Sequence, residues 1–381
     1  MGATKRINPA RRDIVNTFEG IVSYDTDNMY PNTFESIIDR SPTAKSVNDV
    51  RERFIYGRGM TDSGEFWKKV INSKGHRVDQ LARMIIRSYV RHHGFALHFN
   101  YNSLFEKTSV KIIPFQFCRT SKPDDDGYQG KIIVYDKWKT TNVRRNDVAT
   151  YDAYNPDPEI IARQVELSGG WGNYKGQVMF FGENGGREYP LNPLHSVKND
   201  MIAEIMISEG KNSNVSNNFL ASQMLVMPGT YKELTPYPDD EDGSRYEQEM
   251  LDIVGGMQGA INQGAVVLVE NGVKDKEGNP VKFDVVKFDV QNLDKIHEYT
   301  EKSCEQSIIK VAGVPEILIH PVTTGFSTEI LNAYYQYYNE VVSYDRQVIE
   351  EVMMEIFNNW NYNINPSGNY EIKPLTISID K

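Results

Sequence analysis

The chain has 381 residues, of which 39% are hydrophobic and 25% are charged, and its formal net charge is −10. This length allows two or three domains with a sizeable buried core, and the composition is that of a folded protein in water. No apolar run reaches the roughly 18 residues that cross a bilayer, and no apolar block follows the basic start, so we expect neither a membrane segment nor a signal peptide.

The two cysteines, Cys118 and Cys304, lie far apart in the sequence and in different predicted regions. Free thiols in a reducing compartment are therefore expected rather than a disulfide.

The first sixty residues predict a basic arm followed by two helices. Residues 1–30 show little periodicity and are typical of an arm that is mobile or docked on a neighbour. Helical apolar spacing begins at Pro31, and Ser41-Pro42 is a typical start for a second helix. Gly57-Arg58-Gly59 favours a turn out of that helix over a phosphate-binding loop, because further glycines or a Gly-Lys-Ser/Thr sequence are missing. The basic residues of the arm are Lys5, Arg6, Arg11 and Arg12.

The next part of the chain, up to residue 198, predicts a mixed α+β domain with an antiparallel sheet. An amphipathic helix is expected from Val78 to His93, ended by Gly94, and Pro114 marks a strand end or a sheet edge. Residues 140–198 are loop-rich around one strand. The predicted strands are Phe95–Asn100, Ser109–Phe117, Lys131–Trp138 and Gln177–Phe181.

Three histidines, at positions 92, 93 and 98, are the nearest thing to a metal-ligand cluster. One helix end and one strand cannot complete a tetrahedral site without further ligands, so surface histidines at a helix terminus are expected, with no metal and no cofactor. Neither a Gly-x-Ser-x-Gly elbow nor a Cys–His pair is found, and nothing in the sequence argues for an enzyme.

A helix is predicted from Val197 to Leu220. A compact insertion follows it, with the predicted order strand, helix (Gly243–Gln258), strand and strand. Residues 231–301 contain 16 Asp and Glu against 7 Lys and Arg, an excess of nine that nearly equals the whole net charge. A solvated acidic surface explains such a bias, and a surface that repels a phosphate backbone is the other interpretation.

Residues 292–360 hold two helical segments separated by Gly313-Val314-Pro315 and by the loop His320–Phe326. Pro315 stops the first helix, and Ser327 or Thr328 caps the second. If unbroken to Trp360, the second helix is about 50 Å long at about 1.5 Å per residue. Its expected core stripe is Ile330, Tyr334, Tyr337, Val341, Val348, Val352 and Ile356. The tyrosines beside the stripe, Tyr335, Tyr338 and Tyr344, indicate a second face that meets another element or another subunit.

This order of pieces resembles the portal proteins of tailed bacteriophages. The likeness rests on a helix ending in Gly-Val-Pro, a short loop, and Ser-Thr-Glu (327–329) opening a long tyrosine-rich helix. The preceding Met-Pro-Gly turn (227–229), Gly-Gly-Met-Gln-Gly-Ala (255–260) and the strand Ala265–Glu270 agree with it. It covers residues 195–360 well and the first half in outline, whereas Tyr189–His195 departs from the family pattern and little helical crown follows the long helix.

The resemblance implies an α+β portal fold made of a wing, stem helices, a clip and a tunnel loop. The N-terminal wing would be residues 1–198, the stem helices 199–222 and 291–313, and the clip 223–290. The tunnel loop would be 314–326, and residues 327–381 would supply the C-terminal wing helix and a terminal strand.

The same resemblance implies a ring, typically of twelve copies, at one capsid vertex, assembled in the host cytoplasm. Double-stranded DNA would pass through it without sequence-specific binding. The implied partners are the terminase large subunit, the major capsid and scaffolding proteins, and the head–tail connector.

Three groups of residues carry the implied roles. The uncharged loop residues Val322, Thr323, Thr324, Gly325 and Phe326 would line the channel, although an ordinary helix–helix connection is the plain alternative. Gly313 and Pro315 would set the helix break. The clip residues facing the terminase and the connector would be Asp239, Asp240, Glu241, Asp242, Lys274 and Lys276.

Two other functions stay open from the sequence. A phage DNA-processing enzyme such as a nuclease is one, since Glu371-x-Lys373 resembles the tail of a metal-dependent nuclease signature, although an exposed strand is the simpler interpretation. A head–tail adaptor is the other, but it should lack the helix–loop–helix of residues 292–360.

Overall fold

The computed structural model describes residues 12–13, 20–60, 65–125, 127–139, 148–216, 223–226, 237–257, 284–287, 293–320, 327–366 and 368–377. The chain divides into two compact units, one made of residues 1–198 and 308–381 and the other of residues 199–307. None of the described helices is both long and apolar enough to cross a membrane.

The described elements confirm a mixed α+β fold. The helices are α1 (Tyr30–Arg40), α2 (Pro42–Tyr56), α3 (Glu65–Lys68), α4 (Val78–His92), α5 (Pro158–Leu167), α6 (Lys198–Ser216), α7 (Ser244–Met257), α8 (Leu293–Ala312), α9 (Thr328–Val341) and α10 (Ser343–Phe357). The strands are β1 (Arg12–Asp13), β2 (Val22–Ser23), β3 (Gly94–Tyr101), β4 (Lys107–Ile113), β5 (Cys118–Thr120), β6 (Lys131–Val134), β7 (Ala149–Ala153), β8 (Gln177–Gly182), β9 (Gln223–Val226) and β10 (Asp284–Lys287).

Helices α1 and α2 follow the signals in the sequence. Ser41 separates them, and its Oγ accepts a hydrogen bond from the backbone N–H of Ala44 at 3.2 Å, which satisfies one free donor of the first turn of α2. The helix ends at Gly57, whose φ of +53° is costly for other residues. A Cβ at Gly57 would lie 2.1 Å from the carbonyl oxygen of Lys373, so this glycine also permits a close backbone approach.

The first unit contains a six-stranded sheet in the order β4-β3-β8-β7-β6-β5. Its pairings are antiparallel except for β7 with β8, which are parallel, so the predicted antiparallel sheet is in fact mixed. The predicted strand through Phe117 ends at Ile113, because Pro114 starts a 3₁₀ turn before β5 begins.

The sheet is buried on both faces along β3. Phe95, Leu97 and Phe99 are inaccessible on one face, and the ring of Phe95 stacks on Phe181 at 4.8 Å. The alternate residues face the other side, where an apolar cluster joins the two ends of the sheet. That cluster consists of Ala96, Ile113, Cys118, Ile132 and Val178.

Two histidines predicted to lie on the surface are buried instead. His92 stacks on Phe115 at 5.2 Å, and burial lowers the pKa of His92 to about 3. Nε2 of His98 donates to the carbonyl oxygen of Lys175 at 2.6 Å, and burial lowers the pKa of His98 to about 4. His93 ends α4 in a left-handed conformation. The prediction was wrong because the sheet continues directly from α4 and encloses this helix end.

Helix α10 is the C-terminal helix of the core. Its buried apolar face is Val348, Ile349, Val352, Met353, Ile356 and Phe357. The guanidinium of Arg51 on α2 donates to both carboxylate oxygens of Asp345 at 2.9 and 3.0 Å, and Tyr89 OH on α4 donates to the same carboxylate at 3.3 Å. At the other end, Lys107 Nζ donates to the carbonyl oxygen of Glu355 at 2.5 Å.

The long helix predicted from residue 328 to 360 is interrupted at Val342, which separates α9 from α10. The Oγ of Ser343 donates to the carbonyl oxygen of Glu340 at 2.7 Å and so competes with the helical hydrogen bonds. After Trp360, the predicted strand Tyr370–Ile379 is reduced in its described part to a bridge between Met60 and Ile372.

In the second unit, α6 and α8 lie side by side. Lys211 on α6 pairs with Glu301 on α8, and the carboxylates of Asp200 and Glu204 lie near Cys304. Strands β9 and β10 form an antiparallel pair. Both cysteines of the chain are free, as predicted. The predicted wing, stem and clip boundaries stay predictions.

Replacing Asp345 by Asn should lower the free energy of unfolding by roughly 2 kcal/mol, because a hydrogen bond to a charged group contributes about 1.5–3 kcal/mol. Urea unfolding of the chain measures this loss. Glu351→Gln, on an exposed position of the same helix, is the matched control and should change stability by less than about 0.5 kcal/mol. Equal losses in the two variants would contradict the anchoring role of Asp345.

His98 should make the chain acid-sensitive. Its folded pKa of about 4 lies below the ordinary value of 6.5, so its contribution to stability is present above pH 6.5 and is lost as the pH falls toward 4. Nδ1 is buried without a hydrogen-bond partner, so a proton there would find no acceptor. The loss between pH 7.5 and pH 4 should be on the order of 3 kcal/mol.

The measurement is urea unfolding of the wild type and of His98→Gln at both pH values. Glutamine retains a donor for the carbonyl of Lys175 but does not titrate, so its pH dependence should be flatter. A wild-type slope in His98→Gln would contradict the assignment.

Candidate functional site

The helix break lies where the sequence places it. Helix α8 ends at Ala312, and Gly313 takes a left-handed conformation with φ of +65°, which glycine adopts without strain. Pro315 then leads into a 3₁₀ turn, and His320 N–H donates to the carbonyl oxygen of Glu316 at 2.9 Å. The chain therefore changes direction between Ala312 and Pro315.

The predicted channel-lining residues lie outside the residues that the structure describes. They are Val322, Thr323, Thr324, Gly325 and Phe326. Their role stays a prediction. On their far side, Ser327 Oγ accepts from the backbone N–H of Ile330 at 3.4 Å and caps α9, as predicted.

Helix α9 leaves a row of large apolar and aromatic side chains in solvent. These side chains recur at steps of four, three, four and three residues and therefore share one side of the helix. We call them the α9 stripe. It consists of Ile330 (43% exposed), Tyr334 (39%), Tyr337 (58%), Val341 (44%) and Tyr344 (61%), the last on the first turn of α10.

The other side of α9 packs on the core. Tyr338 is fully buried and meets the ring of Phe54 edge-on at 4.9 Å, and Tyr335 lies 5.1 Å from the same ring. Asn339 is also buried, and its side chain donates to the carbonyl oxygen of Leu375 at 2.8 Å.

The predicted core stripe is thus correct for α10 and wrong for α9. Val348, Val352 and Ile356 are buried, whereas Ile330, Tyr334, Tyr337 and Val341 are exposed. The physical reason is the width of the underlying surface. Helix α10 packs on both α2 and α4, whereas the core contacts of α9 described above lie at Phe54 on α2 and at Leu375.

The predicted clip acids have different environments. Asp240 is buried, and its carboxylate accepts from the backbone N–H groups of Arg245 and Tyr246 at 3.1 and 3.0 Å, so it caps α7. Asp240 is thus engaged within its own turn, and its predicted role facing a partner stays a prediction. The exposed acids of the turn are Asp239, Glu241 and Asp242. Lys274 and Lys276 lie outside the described residues.

The turn before α7 also contains a cation–π contact. The guanidinium of Arg245 lies 3.8 Å from the ring centroid of Tyr237, whose hydroxyl hydrogen-bonds the carboxylate of Glu249. These contacts fix the turn, and sequence reasoning missed them because they join residues eight to twelve positions apart without a regular period. Within the part of the chain that the structure describes, no group of three His, Cys, Asp or Glu side chains is placed to hold a metal ion.

No protein-family model matches the chain, and no curated protein matches it. Among solved structures, the chain is similar to one in the virion of the native gene transfer agent particle, with 14% identity, 83% of this chain and 77% of that chain covered, and a TM-score of 0.42. It is also similar to one in the neck of the empty particle computed with C6 symmetry, with 13% identity, 83% and 77% covered, and a TM-score of 0.43.

A third likeness is to an HK97 family phage portal protein from Corynebacterium diphtheriae, with 8% identity, 81% of this chain and 82% of that chain covered, and a TM-score of 0.35. This protein is of the class that the sequence resembles. With every TM-score below 0.5, these likenesses do not decide the function.

Replacing Asp240 by Ala should destabilise the first turn of α7 by about 1 kcal/mol, the usual cost of losing an N-cap. Hydrogen exchange at the amides of Arg245 and Tyr246 should accelerate roughly fivefold. Asp239→Ala is the matched control, since the Asp239 side chain is 80% exposed. Unchanged exchange in Asp240→Ala would contradict the capping role.

Proposed function

We propose that the chain is a portal protein of a tailed bacteriophage. Copies of it form a ring, typically of twelve, at one capsid vertex, and double-stranded DNA passes through the channel during packaging and ejection. The ring belongs to the virion and assembles in the host cytoplasm. The sequence resemblance over residues 195–360 suggests this function.

The observation that carries the proposal is the α9 stripe, directly after the uncharged connector of residues 321–326. Five large side chains, each 39% to 61% exposed, share one side of α9 and the first turn of α10, while the other side of α9 is fixed to the core. Contiguous apolar patches on soluble proteins mark interaction sites. A ring repeats one modest contact around an axis, which gives such a stripe a partner in every copy.

The chemistry of the connector suits a channel. Residues 322–326 carry no charge, so they can contact phosphates without holding the duplex in one register. The acidic excess of residues 231–301 opposes adhesion of DNA to the second unit.

The sequence resemblance also implies the partners of the ring. In the second unit, Asp239, Glu241 and Asp242, together with Lys274 and Lys276, face the terminase large subunit first and the head–tail connector later. The first unit faces the major capsid and scaffolding proteins. The chain itself takes no part in ATP hydrolysis.

The mass and shape of the purified chain test the proposal. A closed ring with a central opening wide enough for a duplex, seen by electron microscopy and by mass measurement in solution, is the expected result. A monomer that cleaves DNA in the presence of a divalent metal would instead establish a nuclease. A chain that stays monomeric and has no nuclease activity would also contradict the proposed ring.

Shortening the connector by deleting Thr323, Thr324 and Gly325 should leave rings intact but impair DNA packaging or retention, because the connector is the part that contacts the duplex. Packaged DNA per particle is the measurement. Deleting Asp124 and Asp125, which lie in an exposed turn of the first unit, is a control of similar kind and should preserve packaging. Normal packaging by the deletion variant would contradict the assignment of the connector to the channel wall.

A further inference from the structure

The exposed charged residues of α9 and α10, the two helices that carry the α9 stripe, are all acidic. Residues 327–357 contain six acids and one base, Arg346. Arg346 is buried, and its guanidinium donates to the carbonyl and side-chain oxygens of Asn339 at 3.2 and 3.1 Å. The exposed charges are therefore the acids Glu329, Glu340 and Glu351. A partner that matches this surface combines basic and apolar side chains.

The size of the stripe favours a peptide segment over a rigid domain. Three tyrosines at 39% to 61% exposure, with Ile330 and Val341, expose on the order of 400 Å², since an aromatic side chain covers about 150–250 Å². A stable interface between two folded surfaces buries about 800 Å² on each partner. The stripe spans residues 330–344, about 21 Å at about 1.5 Å per residue.

The chain contains a segment of matching chemistry. Residues 1–12 include four basic side chains and no acid. Ile7 and Pro9 are apolar residues of the same segment. Arginine and lysine pair with carboxylates and also bind over tyrosine rings, which the stripe and its acids offer together. The basic residues are Lys5, Arg6, Arg11 and Arg12.

The attachment point of this segment is known. Strand β1, Arg12–Asp13, pairs with β2 in the first unit. The eleven residues before it span at most about 36–40 Å when extended, which exceeds the roughly 21 Å length of the stripe. The stripe lies opposite the side of α9 that packs on α2, so it points away from the α2 of its own copy. A ring also needs two different contact surfaces on each copy, and an arm and a stripe supply both.

We infer that residues 1–11 of one copy bind along the α9 stripe of the neighbouring copy and link the copies of the ring. This inference rests on the proposed ring. The basic side chains pair with Glu340 and Glu351 and lie over Tyr334, Tyr337 and Tyr344, while Ile7 contacts the apolar positions. Because these ion pairs are exposed, the contact weakens as salt concentration rises.

The direct test is a cysteine pair, Ile7→Cys with Tyr337→Cys, oxidised mildly in assembled rings of the full chain. The native cysteines are buried and free, so each single variant is a control for background coupling. The expected product is a ladder of covalently linked copies on a denaturing gel. A cross-link confined to single chains, or no cross-link in intact rings, would overturn the inference while leaving the ring itself established.

A charge reversal gives a second measurement. Lys5→Glu, Arg6→Glu and Arg11→Glu together should raise the concentration needed for half-assembly at least tenfold at low salt. Adding Glu340→Lys and Glu351→Lys should restore most of this loss. Arg144→Glu with Arg145→Glu is the matched control, with basic residues reversed elsewhere in the chain, and should assemble normally. An equal effect of both reversals, or no effect of either, would contradict the contact.

If the unaltered chain forms no rings at any concentration, the proposed function fails and this inference fails with it. That outcome is distinct from intact rings without the cross-link, in which only the inference fails.

Discussion

The Asp345 carboxylate holds the two ends of the first unit together, and the position of the stripe depends on it. It is 5% exposed, receives two hydrogen bonds from Arg51 and shares the hydroxyl proton of Tyr89 with the carboxylate of Glu183. Burying a carboxylate without such donors would cost several kcal/mol. These hydrogen bonds therefore favour the observed placement of α10 against α2 and α4. The contact spans 294 positions of sequence, from α2 to α10. It therefore fixes a late helix on a framework made of early ones.

A second buried contact fixes the other end of α10. Lys107 is 1% exposed, and its ammonium lies 5.3 and 5.2 Å from the ring centroids of Phe99 and Tyr154 while it donates to Glu355. Burial lowers the pKa of Lys107, and the neighbouring Glu355 opposes that shift. With both ends of α10 held, rotation or sliding of that helix would break at least one of these contacts. Helix α9 precedes α10 and is separated from it by one residue, Val342, so the same two anchors also help to set which side of α9 is exposed.

Local signals in the sequence were enough to predict helix caps and the helix break. The burial or exposure of individual side chains depended instead on their tertiary surroundings. Ser41 and Ser327 cap helices, and Gly313 ends one, because a short side chain or a missing Cβ acts within one turn. Helix α5 was not predicted although Asp157 caps it, since its short apolar pattern lies among glycine-rich loops. The burial of His98 and the exposure of Tyr337 were unpredictable for a different reason. Each depends on which distant element lies above the residue, and periodicity carries no information on that.

The chemistry of the stripe also explains how a chain with so much exposed aromatic surface would stay dispersed before it assembles. Tyrosine hydroxyls are polar, and the acids beside the stripe would repel the acids of a second stripe, which disfavours association of two copies through identical surfaces. A basic segment removes that repulsion and covers the rings in one step. In the proposed ring each such contact would be weak and exposed to salt, but closing the ring would make the last contact intramolecular, and the assembly would be far more stable than one link. A surface that is apolar, aromatic and acidic at once therefore suits a contact that must form late, in one direction and only with the correct neighbour.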